Sequence, residues 1–263
     1  MSCLEARLRE RRDLGAKLLV CYLTAGASPD WLEVARAVVQ AGADAIEIGI
    51  PFSDPMMDGP VIQEASRRAL LAGFTPLSVI AELSSADLGI PVVVMSYYNI
   101  FFKAGLERMA DQLGQAGIEG AIIPDLPIDE AGNWRQVASQ AGIETVFLVA
   151  PPTPVSRMTE IARASQGFVY CVGLMGVTGE RLGTGARGMD VAARVKAVTD
   201  TPALVGIGVS SPEQVVEVAG VADGAVVGSA LVRRVLDGEG PTGVGRFVAE
   251  LRSALDAMQP AGA

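Results

Sequence analysis

The sequence contains no histidine. This absence excludes serine–histidine and cysteine–histidine nucleophile pairs, histidine metal sites and histidine general bases. Only three lysines occur, at Lys17, Lys103 and Lys196. Of these, only Lys103 follows a predicted strand closely enough to be a candidate for Schiff-base chemistry. We therefore expect carboxylates, backbone amides and hydroxyl groups to carry the chemistry of this protein.

Cysteines and long apolar runs are also scarce. The three cysteines, Cys3, Cys21 and Cys171, lack the spacing of a metal site, and two lie in apolar runs. We expect buried, reduced thiols in a cytoplasmic protein, and no bound metal. No apolar run approaches the roughly 18 residues of a membrane span, and the charged start has no apolar signal segment. The net charge of −9 argues against nucleic-acid or anionic-membrane binding.

Short apolar runs alternate with longer amphipathic stretches along the whole chain. The runs are rich in Val and Ile with little polar alternation, which is typical of parallel strands covered on both faces. They cover 18–23, 45–50, 92–95, 120–123, 146–150, 168–172, 203–207 and 224–227. Helical patterns cover 30–41, 61–72, 76–83, 105–116, 154–164, 191–198, 212–219 and 230–236. Several helical patterns end at an Ala-Gly pair, where glycine commonly follows the last turn.

This order of elements predicts an α/β fold. Eight strand–helix units in about 250 residues match a (β/α)8 TIM barrel, and an open, doubly wound sheet is the alternative. The first 12 residues predict an extra N-terminal helix below the barrel. No linker or charge run divides the chain, so we expect a single domain over residues 1–263.

One charged side chain lies inside a predicted strand. Glu47 is flanked by Ile46 and Ile48, so it takes the opposite face of the strand, which is the barrel interior if the isoleucines meet the helices. Burial raises the pKa of a carboxyl group. Such a group can both give and take protons near neutrality, although a buried glutamate satisfied by neighbouring hydroxyls or amides is the alternative.

The loop that follows, residues 51–60, is stiff and acidic. It contains three prolines together with Asp54 and Asp58, and it falls at the presumed mouth of the barrel, where active sites of this fold lie. Asp58 is a candidate catalytic residue. The alternative is turn formation, because Asp before Pro or Gly commonly forms turns.

Glycines follow the last three predicted strands. They include Gly179, the pair Gly206 and Gly208, and Gly228, which Ser229 follows at the start of a short helical pattern. Glycines let backbone N–H groups approach an anion, and a helix N-terminus favours negative charge. A phosphate site is expected here, with tight turns as the alternative.

Cleavage of a carbon–carbon bond in a sugar phosphate is one reaction that such a site could run, and it needs an electron sink. The scarcity of lysine and histidine leaves little room for a Schiff base or a histidine-bound metal. If this is the reaction, we expect the substrate to carry its own sink, such as a ring that can be protonated. One carboxylic acid would protonate the ring and a second carboxylate would stabilise the resulting cation.

Several motifs resemble the tryptophan synthase α subunit family. They are GADAIEIGIPFSDPMMDGPVIQ (42–63), MSYYN (95–99), IIPDLP (122–127), GVTG (176–179), GIGVSSPEQ (206–214) and VVGSALV (226–232). The resemblance spans nearly the whole chain in order. It implies a (β/α)8 barrel that cleaves indole-3-glycerol phosphate to indole and glyceraldehyde 3-phosphate by a retro-aldol reaction.

The resemblance also implies roles for individual residues. Glu47 is the implied acid and base, and Asp58 the implied acceptor from indole N1–H. Gly179, Gly206, Gly208, Gly228 and Ser229 would bind the phosphate, and Thr178 would lie on a loop that closes over the site. The implied indole pocket consists of Tyr22, Ile62, Val94, Tyr97, Leu126, Tyr170 and Ile207. For Tyr22, Val94 and Ile207, plain core packing is the alternative.

The family works with a β subunit, in an α2β2 heterotetramer, that holds pyridoxal phosphate and converts indole and serine to tryptophan. The resemblance implies no cofactor in this chain and places residues 51–58 and 99–103 toward that partner. A stand-alone lyase that releases free indole is one alternative. The other is a weakly catalytic barrel that binds a phosphorylated ligand and activates a β partner.

Overall fold

The computed structural model describes residues 3–173, 184–206 and 208–258. Within these ranges the strands form one sheet in which every neighbouring pair is parallel. They are β1 (Leu18–Thr24), β2 (Ala45–Gly49), β3 (Val92–Met95), β4 (Gly120–Ile122), β5 (Glu144–Val146), β6 (Leu148–Val149), β7 (Val169–Val172), β8 (Ala203–Gly206) and β9 (Gly224–Val227). Their order in the sheet is β5-β4-β3-β2-β1-β9-β8-β7-β6.

Most of the helices connect successive strands and cover the outside of the barrel. They are α1 (Leu4–Asp13), α2 (Trp31–Gln40), α3 (Pro60–Leu71), α4 (Pro76–Ser85), α5 (Tyr98–Ala104), α6 (Leu106–Gln115), α7 (Gly132–Gln140), α8 (Val155–Ala164), α9 (Thr184–Lys196), α10 (Pro212–Ala219), α11 (Ser229–Leu236) and α12 (Gly240–Asp256). Glycines with positive φ follow several of them, including Gly42, Gly117 and Gly142. No helix of the described ranges is long and apolar enough to cross a membrane.

The sheet closes through Phe147. β5 pairs with β4, β6 pairs with β7, and Phe147 is the single residue between β5 and β6. Its carbonyl accepts a hydrogen bond of 3.0 Å from the Tyr170 backbone N–H. β5 and β6 are therefore two parts of one barrel strand. The eight predicted strands and the (β/α)8 barrel are confirmed, and the open sheet is not.

The two faces of the sheet bury different sets of side chains. One set fills the barrel interior and includes Val20, Ala45, Val93 and Ile122. The other set, which packs between sheet and helices, includes Ile46. This alternation along each strand places Glu47 on the interior face, two residues beyond Ala45.

The extra N-terminal helix closes the base of the barrel, as the sequence predicts. Leu4 and Leu8 of α1 are buried among the interior side chains. A Cβ atom at Gly120 or Gly167 would lie 2.9 Å or 2.5 Å from Leu4 Cδ2, so a side chain at either position would displace Leu4. Cys21 and Cys171 are buried free thiols, but Cys3, at the start of this helix, is exposed, which corrects the expectation that the thiols are buried.

Candidate active site

Glu47 lies in the barrel interior near the carboxyl end of β2. Its register partners are Tyr22 on β1 and Val93 on β3. The residue is 1% exposed, and neither carboxyl oxygen has a hydrogen-bond partner among the described residues. Burial, assisted by the negative charge of Asp58, raises the pKa of Glu47 to about 8. At neutral pH this side chain is therefore mostly an uncharged acid that is ready to give up a proton.

Asp58 ends the loop after β2 and is held by Tyr97, which follows β3. The Tyr97 hydroxyl donates to Asp58 Oδ2 at 3.1 Å and accepts from the Met57 backbone N–H at 2.9 Å. The ring of Phe52 stacks on Tyr97 with centroids 4.9 Å apart. Burial raises the pKa of Asp58, whereas the hydrogen bond from Tyr97 acts in the opposite direction. A carboxylate fixed in this way can accept a hydrogen bond from a ligand in the interior.

Two further tyrosines lie across glycines at strand ends. A Cβ atom at Gly49 would lie 2.0 Å from the Tyr22 hydroxyl, and one at Gly206 would lie 2.1 Å from Tyr170 Cε1. Each tyrosine thus leans over the end of a neighbouring strand, where glycine alone leaves room. Burial and the nearby charges of Glu47 and Asp58 raise the pKa of both tyrosines well above its usual value. The two rings and the two carboxyl groups therefore line one interior space.

The predicted phosphate residues in the described ranges lie at the carboxyl ends of β8 and β9. Gly206 ends β8, and Gly208 lies two residues beyond with φ +22°. Gly228 is the N-cap of α11, which begins at Ser229, and it offers no side-chain acceptor to the first N–H groups of that helix. These N–H groups can donate hydrogen bonds to an anion. Gly179, Thr178 and Ile207 lie outside the described residues.

The structure does not bring Val94 to the interior face. Val94 pairs with Ile48 and packs toward the helices, while Val93 and Met95 alternate with it and face inward. The residues of β3 that face the interior are therefore Val93 and Met95, the neighbours of the predicted Val94. Three consecutive valines give no alternation from which the inward-facing residue could be read.

Leu126 lies beyond the end of β4 rather than on its interior face. It packs into the outer core and borders a cavity of about 480 Å³ between the loops after β4 and β6. Ile122 is the interior residue of β4, so it replaces Leu126 as the candidate wall of the pocket. Ile62 is half-buried in the first turn of α3, four residues after Asp58.

Sequence reasoning missed residues that shape the site through their neighbours. Thr24 is buried, and its Oγ1 lies 3.2 Å from the Tyr22 hydroxyl. Gly49 provides the space that Tyr22 fills. Neither residue belongs to a recognisable sequence motif. Gly49 matters because Tyr22, on the neighbouring strand, occupies the space beside it, and Thr24 matters because it contacts Tyr22 two residues earlier on the same strand.

Comparison with known proteins supports the family resemblance that the sequence motifs indicate. The sequence model of the family described as tryptophan synthase alpha chain matches residues 8–256. The tryptophan synthase alpha chain of Streptomyces coelicolor is 45% identical over 227 residues, which are 85% of this chain and 84% of that protein. The alpha chain of a Synechococcus strain is 42% identical over 264 residues, 97% of this chain and 98% of that protein.

Solved structures agree with the barrel described above. The aminoacrylate-bound tryptophan synthase of Mycobacterium tuberculosis contains a chain that is 33% identical, with a TM-score of 0.87, covering 97% of this chain and 100% of that one. The tryptophan synthase alpha subunit of Legionella pneumophila is 30% identical, with a TM-score of 0.88, covering 98% and 100%. This chain therefore belongs to the tryptophan synthase alpha chain family, whose members are lyases that cleave indole-3-glycerol phosphate.

Proposed function

We propose that Glu47 and Asp58 perform the cleavage of indole-3-glycerol phosphate in this protein, with Glu47 moving the protons and Asp58 holding the indole ring. The observation that carries this proposal is the Glu47 carboxyl group. It is 1% exposed in the barrel interior and has no hydrogen-bond partner among the described residues. An unpaired buried carboxyl group is costly to a fold, and a substrate with proton donors and acceptors would supply the missing partners.

Glu47 acts first as an acid. Its raised pKa keeps a proton on the carboxyl group at neutral pH, and this proton passes to C3 of the indole ring. The ring then carries a positive charge and becomes the electron sink for the bond to the glyceryl side chain. The resulting Glu47 carboxylate takes the proton of the adjacent glyceryl hydroxyl as the carbon–carbon bond breaks, so that aldehyde and indole form and Glu47 regains its proton.

Asp58 stabilises the charge that appears on the ring. In its ionised form it accepts the hydrogen bond of indole N1–H, which becomes more acidic when C3 is protonated. Tyr97 holds one carboxylate oxygen and leaves the second oxygen for the substrate. Tyr22 and Tyr170 provide aromatic walls for the indole. The N–H groups of Gly228 and Ser229, with the glycines after β8, would bind the phosphate.

The reaction needs no cofactor in this chain, because the protonated ring is the electron sink. We place a tryptophan synthase β subunit, with its pyridoxal phosphate, over the barrel mouth in an α2β2 assembly. Met56, Met57 and Phe102 project there and are 89%, 60% and 66% exposed. Large apolar side chains exposed together mark an interaction surface.

Free buried cysteines fit a reducing compartment such as the cytoplasm.

A steady-state assay of indole release tests the proposal. The purified chain is assayed with indole-3-glycerol phosphate, alone and with a β subunit. Glu47→Gln should lower kcat by about 10²–10⁴-fold with the fold retained, and Asp58→Asn should also be severely impaired. Glu119→Gln is the matched control, since burial also raises the pKa of Glu119 but this residue precedes β4 at the opposite end of the barrel.

The outcomes separate the proposal from its alternatives. Turnover that rises with the β subunit supports an α subunit, whereas high activity of the chain alone favours a stand-alone lyase. Binding of the substrate without release of indole would favour the weakly catalytic barrel. A Glu47→Gln variant with near-normal kcat would contradict the assigned proton transfer.

A further inference from the structure

Hydrogen bonds connect three neighbouring loops at the mouth of the barrel. Asp125 lies in the loop after β4, and its Oδ1 accepts a hydrogen bond of 2.8 Å from the Tyr98 backbone N–H. Tyr98 is the first residue of α5, and the side chain of its N-cap residue, Tyr97, makes no capping hydrogen bond. Asp125 therefore supplies, from an adjacent loop, the acceptor that the start of this helix lacks.

The start of α5 also carries the hydroxyl group that holds Asp58. Tyr97 directly precedes Tyr98, and its hydroxyl lies 3.1 Å from Asp58 Oδ2 and 2.9 Å from the Met57 nitrogen. A change in the backbone at Tyr98 thus moves the Tyr97 ring, which in turn moves Asp58. The contacts run from the loop after β4, through the loop after β3, to the loop after β2.

We propose that Asp125 is a positioning residue for the reaction, which caps α5 and thereby keeps the Tyr97 hydroxyl on Asp58. This role rests on the function proposed above for Asp58. Asp125 itself is exposed, so its carboxylate caps the helix without being desolvated, and a negative charge at a helix N-terminus is favourable. Its only side-chain hydrogen bond within the described residues goes to Tyr98.

Three variants test the role through kcat. Asp125→Ala removes the acceptor and should lower kcat about tenfold with a smaller change in KM, because a displaced Asp58 loses stabilisation of the charged ring. Asp125→Asn keeps an acceptor oxygen and should retain most of the activity. Asp129→Ala is the matched control. Asp129 is exposed on the same loop but bonds to Arg157, and its removal should leave kcat unchanged.

Two readouts separate positioning from a general structural effect. In a Tyr97→Phe background, Asp125→Ala should have little further effect, because the connection to Asp58 is already broken. The acidic limb of the kcat/KM profile should also move to higher pH in Asp125→Ala, since the Tyr97 hydrogen bond lowers the pKa of Asp58. Glu47, Tyr22 and Tyr170 also face Asp58 and are unchanged in this variant.

The results distinguish this role from the proposed function. If the wild type is active and Asp125→Ala matches Asp129→Ala, the positioning role is overturned while the proposed function stands. A full tenfold loss that persists in the Tyr97→Phe background also overturns it. A wild type that releases no indole overturns the proposed function, and this role falls with it.

Discussion

Replacement of Glu47 by glutamine is expected to stabilise the fold increasingly as the pH rises. Burial raises the pKa of Glu47 from 4.5 to about 8. Between these values the folded protein keeps a proton that the unfolded chain has released. The free energy of unfolding therefore falls as the pH rises through this window, and it levels off above the folded-state pKa. Glutamine carries no charge at any pH, so the Glu47→Gln variant should not show this pH-dependent decrease in the free energy of unfolding.

The size of the effect follows from the distance between the two pKa values. Each pH unit between them is worth about 1.4 kcal/mol, which gives a ceiling of about 5 kcal/mol. Between pH 5 and pH 9 the advantage of Glu47→Gln over the wild type should grow by about 4 kcal/mol. The buried amide of glutamine adds a cost that does not vary with pH, so the slope is the quantity to compare.

Urea unfolding followed by circular dichroism measures this slope. The free energy of unfolding is determined at several pH values between 5 and 9 for the wild type, Glu47→Gln and the control Glu10→Gln, which alters an exposed glutamate of α1. The control should follow the wild type closely. A difference between Glu47→Gln and the wild type that stays constant with pH would refute the assignment of Glu47 as a buried, protonated acid.

Four further predictions concern activity and assembly. The kcat/KM for indole release should fall as the pH rises above about 8, where Glu47 loses its proton, and a profile that still rises at pH 9 would count against it. Gly228→Asp should raise KM at least about tenfold by placing a negative charge at the phosphate site, and an unchanged KM would mean that the phosphate binds elsewhere. Gly206→Ala should abolish most activity because its Cβ would lie 2.1 Å from the Tyr170 ring; adding Tyr170→Ala should restore part of it, and no recovery would contradict the steric explanation. Met56→Ser should weaken binding of a β subunit in a titration while leaving the activity of the isolated chain unchanged, and equal affinity would remove this side chain from the proposed interface.

Most of the barrel can be predicted because its strands are buried on both faces and appear in the sequence as uninterrupted apolar runs. Helix ends are equally visible wherever glycine follows the last turn, as at Gly42 and Gly117. The sequence pattern does not predict the C-terminal helix α12. Its first turns contain Gly240, Gly243 and Gly245, which disfavour a helix locally, and packing against α2 stabilises it instead.

The site is only partly predictable. Glu47 is conspicuous because a charged residue interrupts an apolar strand, whereas Asp58 and its partner Tyr97 are 39 residues apart in sequence. Pairing of β2 with β3 brings the loops that follow these strands, and with them these two residues, together.

The most direct measurement is a crystal structure of the Glu47→Gln variant with indole-3-glycerol phosphate bound. We expect the substituted side chain at position 47 to lie within about 3.5 Å of indole C3 and of the glyceryl hydroxyl. We also expect Asp58 to contact the ring nitrogen and the phosphate to lie at the first N–H groups of α11. A substrate bound away from position 47, or a side chain there that is directed among the outer helices, would contradict the proposed role of Glu47.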